Sequence, residues 1–161
     1  MNKKGILIVV SGFSGAGKGT LMRELTEHYS EYALSISATT REPREGEEEG
    51  VAYFFKTTEE FEKMIAKDEL IEYARYVGNY YGTPKAYVEE QLDSGRDVIL
   101  EIEMQGALKV KEQFPETLLL FVTPNCIADL KQRLYGRGTE SAEVIRSRME
   151  QAMKEAAVLH K

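Results

Sequence analysis

A chain of 161 residues is enough for one domain that buries roughly 70% of its unfolded surface, so neither a disulfide nor a metal staple is required. With 21 Lys and Arg against 27 Asp and Glu, the net charge of −6 excludes the broad basic surface on which non-specific nucleic-acid binding depends. The lone Cys126 forms no internal bridge, no secretory leader is visible, and no apolar run is long enough to span a bilayer, so the expected compartment is the cytoplasm, away from any membrane.

The first element is the apolar stretch within Gly5–Ser11, which reads as a buried strand. It feeds Gly12-Phe13-Ser14-Gly15-Ala16-Gly17-Lys18, which satisfies the pattern G-x-x-x-x-G-K. Glycines here permit positive φ and let backbone N–H groups converge on phosphate oxygens. The helix that follows directs its N-terminal partial charge at the same point, and Lys18 is placed to bridge β and γ phosphates. The motif alone also allows a purely structural glycine-rich turn, but a strand before it and a helix after it favour the cradle. Gly19 departs from the pattern, because the hydroxyl arrives one residue later, on Thr20. Adenylate kinases resemble this G-K-G-T arrangement, which leaves Mg²⁺ held more by phosphates and water than by protein. The helix is expected over Lys18–His28, with Leu21, Met22 and Leu25 on one face.

Residues 35–83 break the β/α rhythm. The polar run "REPREGEEEG" precedes a strand "AYFF" and a helix opened by a capping box, Thr57 with Glu60, that buries Phe61, Met64 and Ile65. A strand pair, "LIEYARYV" and "YYG", joined through Gly78-Asn79, completes a small mixed α+β lobe. Arg41 and Arg44 lie three apart in it, and paired guanidinium groups suit a phosphate monoester, with the hydroxyls of Tyr53 and Tyr81 available to complete the shell. The same arginines read equally well as solvated loop charges.

Thr83-Pro84 is then read as an N-cap followed by a first-turn proline, opening a helix to about Asp93. "DVILEI" and "TLLLFV" are two further buried-strand candidates, followed by helices over Met104–Gln113 and Cys126–Gly136. Apolar strands separated by helices indicate a parallel sheet covered on both faces. Arg133 and Arg137, four apart, share a helix face. A last helix from Ser141 places Ile145, Met149, Ala152 and Ala156 on one side and reaches Leu159-His160-Lys161 without a terminator, so the natural chain is expected to continue. His28 and His160 read as surface residues at helix ends, Tyr73, Tyr76 and Tyr80 as packing aromatics, and no His/Cys grouping suits a metal.

The blocks "SGFSGAGKGTL", "SISATTREPREGEEEGVAYFF", "IEYARYVGNYYGTP", "VILEIEMQGA" and "RLYGRGTESAEVIRSRM", in that order across nearly the whole chain, resemble the bacterial guanylate kinases. The resemblance implies an α/β P-loop parallel sheet flanked by helices (1–34 and 84–125), an inserted GMP-binding lobe (35–83), and a helical lid with its connecting helix (126–158). It implies transfer of the γ-phosphoryl group of ATP to GMP, with Mg²⁺ as cofactor, in a monomer or small homo-oligomer; the family's closing strand and helix lie beyond 161. By the same resemblance Gly12 to Thr20, Arg133 and Arg137 bind ATP. Arg41, Arg44, Tyr53 and Tyr81 hold the GMP phosphate, while Ser37, Glu72 and Thr83 read guanine with help from Glu103. Lys18, Arg44, Arg137 and Arg148 are the catalytic set, Arg148 also reaching GMP. Glu101, close to GMP, meets the Mg²⁺ water shell with Thr20. The family more often has aspartate where this chain has Glu101 and Glu103, and proline where it has Phe13, a change expected to alter only the loop surface. Two other readings are a catalytically silent phosphopeptide-binding module of the same fold and a P-loop kinase for another nucleoside monophosphate. The intact cradle and arginines argue against the first, and Glu72 with Ser37 against the second.

Overall fold

The computed structural model describes residues 4–13, 15–76, 78–136 and 142–158. Leu7–Gly12 forms β1, every residue of it buried, and Lys18–His28 forms α1. Then come β2 (Tyr32–Leu34), β3 (Ala38–Thr39), β4 (Phe54–Phe55), α2 (Thr58–Ala66), β5 (Leu70–Tyr76) and β6 (Asn79–Pro84). The chain continues through α3 (Lys85–Asp93), β7 (Asp97–Glu101), α4 (Met104–Gln113), β8 (Leu118–Val122), α5 (Ile127–Gly136) and α6 (Ala142–Val158).

Among the described residues the strands build two sheets. One runs β2-β7-β1-β8 with every neighbouring pair parallel. The other runs β4-β3-β6-β5 and is mixed, with β3 and β4 parallel and the remaining pairs antiparallel. Successive side chains of a strand face opposite sides, and the core divides accordingly. Leu7 and Val9 pack with Val88 and Leu92 of α3 and with Ala107 and Val110 of α4. Ile8 and Val10 pack with Met22 of α1. Leu25 joins that second cluster, whereas Leu21 is exposed; the buried face of α1 runs through Met22 and Leu25, one turn apart, and leaves Leu21 outside.

Among the described residues, the expected buried strand within Thr117–Val122 is an edge. β8 pairs with β1, and Leu118, Leu119 and Leu120 are 46%, 37% and 46% exposed. Its apolar run signals a strand but not what covers it.

In the second sheet, the capping box of α2 forms as expected. Glu60 N–H donates to Thr57 Oγ1 at 3.1 Å while Thr57 N–H donates to Glu60 Oε2 at 2.7 Å, a pairing that contributes about 1 kcal/mol. Phe61 is wholly buried and stacks on Tyr80, the ring centroids 5.1 Å apart. Thr83 does not cap α3. The strand β6 runs on through Pro84, which is itself the N-cap residue in extended conformation, and the Thr83 hydroxyl is engaged across the sheet instead. α4 ties the two sheets together: Ile71 of β5 shares the core cluster of Val9, Val98, Ala107 and Val110, and Gln113 Nε2 donates to the Ile71 carbonyl at 3.0 Å. Among the described residues no helix is long and apolar enough to cross a membrane.

Candidate active site

The glycine loop lies between β1 and α1, where the sequence places it. Gly15 and Gly17 take φ of 89° and 99°, in the left-handed region that disfavours side chains. A Cβ on Gly15 would also sit 2.8 Å from Leu134 of α5, so the glycine is required for the helix to approach. Gly17 is the N-cap of α1 and no side chain caps that helix; its first-turn N–H groups therefore keep their capacity for an anion. Lys18 folds over the loop, its ammonium donating to the carbonyls of Gly12 at 2.8 Å and Phe13 at 3.4 Å. Gly19 and Thr20 are exposed on the first turn of α1. Arg133 reaches from α5 to donate to the Ala16 carbonyl at 2.9 Å, which brings a predicted ATP-binding arginine onto the loop itself.

Phe13 corrects the expectation of a loop-surface change. It is 9% exposed and belongs to a cluster with Ala16, Leu130, Leu134, Ile145 and Ala152. Its ring meets Phe121 edge-on with centroids 5.1 Å apart. The aromatic side chain anchors the loop under α5 and α6 rather than decorating it. Ser14 and Arg137 lie outside the described residues, as do Ser141 and His160. Arg148 is half-buried on α6.

The acceptor lobe brings Arg41, Tyr53 and Tyr81 together. The Arg41 guanidinium is 5.3 Å from the centre of the Tyr53 ring, and Tyr53 meets Tyr81 edge-on at 6.2 Å. Burial pushes the Tyr53 hydroxyl above its ordinary range, the charges at Tyr81, Glu47 and Glu101 adding to this and Arg41 opposing it, so it remains a neutral donor. The sequence reading overlooked Glu47. Arg41 grips this carboxylate with both terminal nitrogens, each at 2.9 Å, and the Arg44 N–H donates to it at 2.8 Å. The bond from Arg41, then that from Arg44, holds Glu47 below the usual carboxylate range. The signal was its place three residues after Arg44, one turn's reach within a loop. The Arg44 side chain is exposed.

Glu72 is the buried acid of the lobe, only 8% exposed. It stands directly across from Thr83 in the β5/β6 pair, and Thr83 Oγ1 donates to Glu72 Oε1 at 2.8 Å. Burial raises its pKa, with the Thr83 bond and the Lys109 charge opposing. Ser37 is half-buried next to β3, its carbonyl accepting the Phe54 N–H at 2.9 Å. Glu101 ends β7 and Glu103 is the N-cap residue of α4, at the carboxyl ends of parallel strands, where open α/β sheets place their ligands. The Glu101 carboxyl has an accessible surface, yet neighbouring atoms displace enough solvent to push its pKa up, with Lys18 opposing and Glu103 adding. Glu101 thus lies within electrostatic reach of Lys18 of the loop and of Tyr53 of the lobe. No group of three or more His, Cys, Asp or Glu suited to a metal occurs among the described residues.

Comparison with known proteins gives the family. The family model described as guanylate kinase matches residues 4–161. A guanylate kinase of Halalkalibacterium halodurans is 56% identical over 159 residues, which cover 99% of this chain and 78% of that protein. One of Streptococcus pneumoniae strain R6 is 54% identical over 160 residues, covering 99% and 77%. The crystal structure of guanylate kinase from Anaplasma phagocytophilum superposes with a TM-score of 0.71 at 30% identity, covering 99% of this chain and 86% of that one. The chain belongs to the guanylate kinase family of nucleoside monophosphate phosphotransferases.

Proposed function

We propose that this chain phosphorylates GMP at the expense of ATP, with the loop after β1 holding the donor and the second sheet holding the acceptor. Gly12 to Thr20 bind the ATP phosphates through backbone N–H groups and Lys18, with Arg133 from the α5 side and with Arg137. Arg41, Arg44, Tyr53 and Tyr81 take the GMP phosphate. Ser37, Glu72, Thr83 and Glu103 read the base. Glu72 accepts hydrogen bonds from guanine N1–H and the N2 amine, and adenine has no such donor pair. The observation that carries the reading is the buried Glu72 carboxylate fixed by Thr83.

An oxygen of the GMP phosphate attacks the γ phosphorus, and the bond to the β,γ-bridging oxygen breaks as ADP leaves. Lys18, Arg44, Arg137 and Arg148 stabilise charge on the transferring group and need no covalent intermediate. Thr20 and Glu101 offer hard oxygen donors, the chemistry that Mg²⁺ prefers. They would hold it through water when it arrives with ATP, where it neutralises phosphate charge.

A coupled assay of ADP release with GMP, AMP, dTMP or no acceptor tests this reading. GMP-dependent turnover, with GMP preferred over AMP by roughly 10⁴-fold, is expected from a site whose hydrogen-bonding partner is absent in the competitor. In Glu72→Gln that preference collapses. Equal discrimination in wild type and variant would defeat the assignment of the base.

A further inference from the structure

Glycine is the poorest helix former after proline, yet Gly106 occupies the first turn of α4. Its φ is not among the positive values found for other glycines, so the backbone at this position would accept any residue. The reason for glycine lies in the space beside it. A Cβ at 106 would stand 2.9 Å from Glu72 Oε2, 3.4 Å from Glu72 Cδ and 3.3 Å from Ile102 Cδ1. The helical glycines Gly19 and Gly136 have nothing within 4 Å of the same position. Gly106 is buried, in the segment where α4 approaches β5.

We propose that Gly106 is a positioning residue for purine selection. It leaves open, on α4, the slot that seats Glu72 Oε2, while Thr83 on β6 fixes Oε1. Two elements then set the two oxygens of one carboxylate, and with them the plane that must meet N1–H and the N2 amine together. This rests on the assignment of Glu72 to the base. A methyl group at 106 brings carbon closer to Oε2 than an ordinary C···O contact of about 3.3 Å. The carboxylate retreats by a few tenths of an ångström or rotates, and hydrogen bonds that favour about 2.9 Å and near-linear angles weaken together.

The test is a double-mutant cycle on the full chain: wild type, Gly106→Ala, Glu72→Ala and the double variant, each assayed with GMP, IMP and AMP, with thermal unfolding alongside. IMP keeps N1–H but lacks the 2-amino group, so it reports the second hydrogen bond. In Gly106→Ala we expect the KM for GMP to rise about tenfold with kcat within about threefold, the preference for GMP over IMP to shrink, and the unfolding midpoint to hold or rise. In the Glu72→Ala background, with no carboxylate to displace, the glycine change should move the KM for GMP by less than twofold.

A KM for Gly106→Ala within twofold of wild type would overturn the proposal, as would an equal effect of the glycine change in both backgrounds. If Gly106→Ala fails to fold, recovery of folding in the double variant supports a clash with Glu72. Failure of both assigns the glycine to packing against Ile102 and overturns the proposal. Unchanged GMP-over-AMP preference in Glu72→Ala alone would remove the base assignment, and this inference with it. Loss of that preference there, with Gly106→Ala unaffected, would remove only the inference.

Discussion

At the scale of one residue, Glu72 places folding and recognition in opposition. Burial holds its carboxyl above the ordinary value of 4.5, so between 4.5 and the raised value the folded chain binds more protons at this site than the unfolded chain does. Its contribution to stability is therefore full below 4.5 and is lost as pH rises through the folded pKa. On the proposed reading recognition requires the other form, because only the carboxylate accepts from both guanine donors. Acidification thus favours the fold at this position and weakens binding of the base. The GMP phosphate also titrates, near pH 6 for a monoester, but it does so in every variant. The ratio of GMP KM values for Glu72→Gln and wild type isolates the carboxyl. Charge-assisted hydrogen bonds contribute about 1.5–3 kcal/mol, so the ratio should be roughly 10 to 100 at neutral pH and contract toward unity as the carboxyl protonates. A ratio that stays flat from pH 8 to about 4.5 would show that Glu72 is not the titrating group.

Among elements, the P-loop is anchored from beneath as well as formed by its glycines. Phe13 meets Phe121 and the apolar faces of α5 and α6, while Gly15 lets Leu134 approach. Truncating a buried phenylalanine costs about 3–5 kcal/mol. Phe13→Ala should lie near the lower end, at about 3 kcal/mol by urea denaturation, and raise the KM for ATP more than that for GMP. A loss below about 1 kcal/mol would remove Phe13 as the anchor. The position also marks where local sequence signals end. β1, α1, α2 with its capping box, β7 and α4 were legible because each carries its own periodicity, cap or glycine signature. β4 was legible in "AYFF", though only Phe54–Phe55 form it, whereas β2 and β3 have only two or three residues and are defined by their partners. Thr83-Pro84 has the chemistry of a helix cap, and it took the cross-strand neighbour Glu72 to claim the hydroxyl. Arg41 and Arg44 were legible as an anion pair, but their shared engagement of Glu47 depends on a loop fold that no residue spacing prescribes. Gly106 is the same case, since its reason lies on a strand more than thirty residues away.

At the scale of the whole molecule, the glycine loop and the proposed acceptor lobe stand on two sheets that share one core. The second sheet is fixed to the first through Ile71, which shares the core of β1, β7 and α4, so the lobe root does not move freely. Glu101 lies within electrostatic reach of Tyr53 of that lobe and Lys18 of the loop, and Glu103 adds negative charge beside it. The ATP triphosphate and the GMP phosphate, brought toward such a carboxylate, would repel it unless a cation accompanies them. On the proposed reading, Glu101 therefore serves the metal carried by ATP rather than the base. Glu101→Gln retains size and hydrogen bonding but removes the charge. Its half-saturating Mg²⁺ concentration should rise severalfold, about 1 kcal/mol for one exposed, water-mediated charge contact, while the KM for GMP at saturating Mg²⁺ stays within about twofold. Glu72→Gln should show the reverse pattern, a raised KM for GMP with ordinary Mg²⁺ dependence. Titrating Mg²⁺ at fixed ATP in both variants separates the roles. If Glu101→Gln instead raises the KM for GMP and leaves the Mg²⁺ curve unchanged, then the acid at the end of β7 belongs to the acceptor side, and the division of labour between the two sheets must be redrawn.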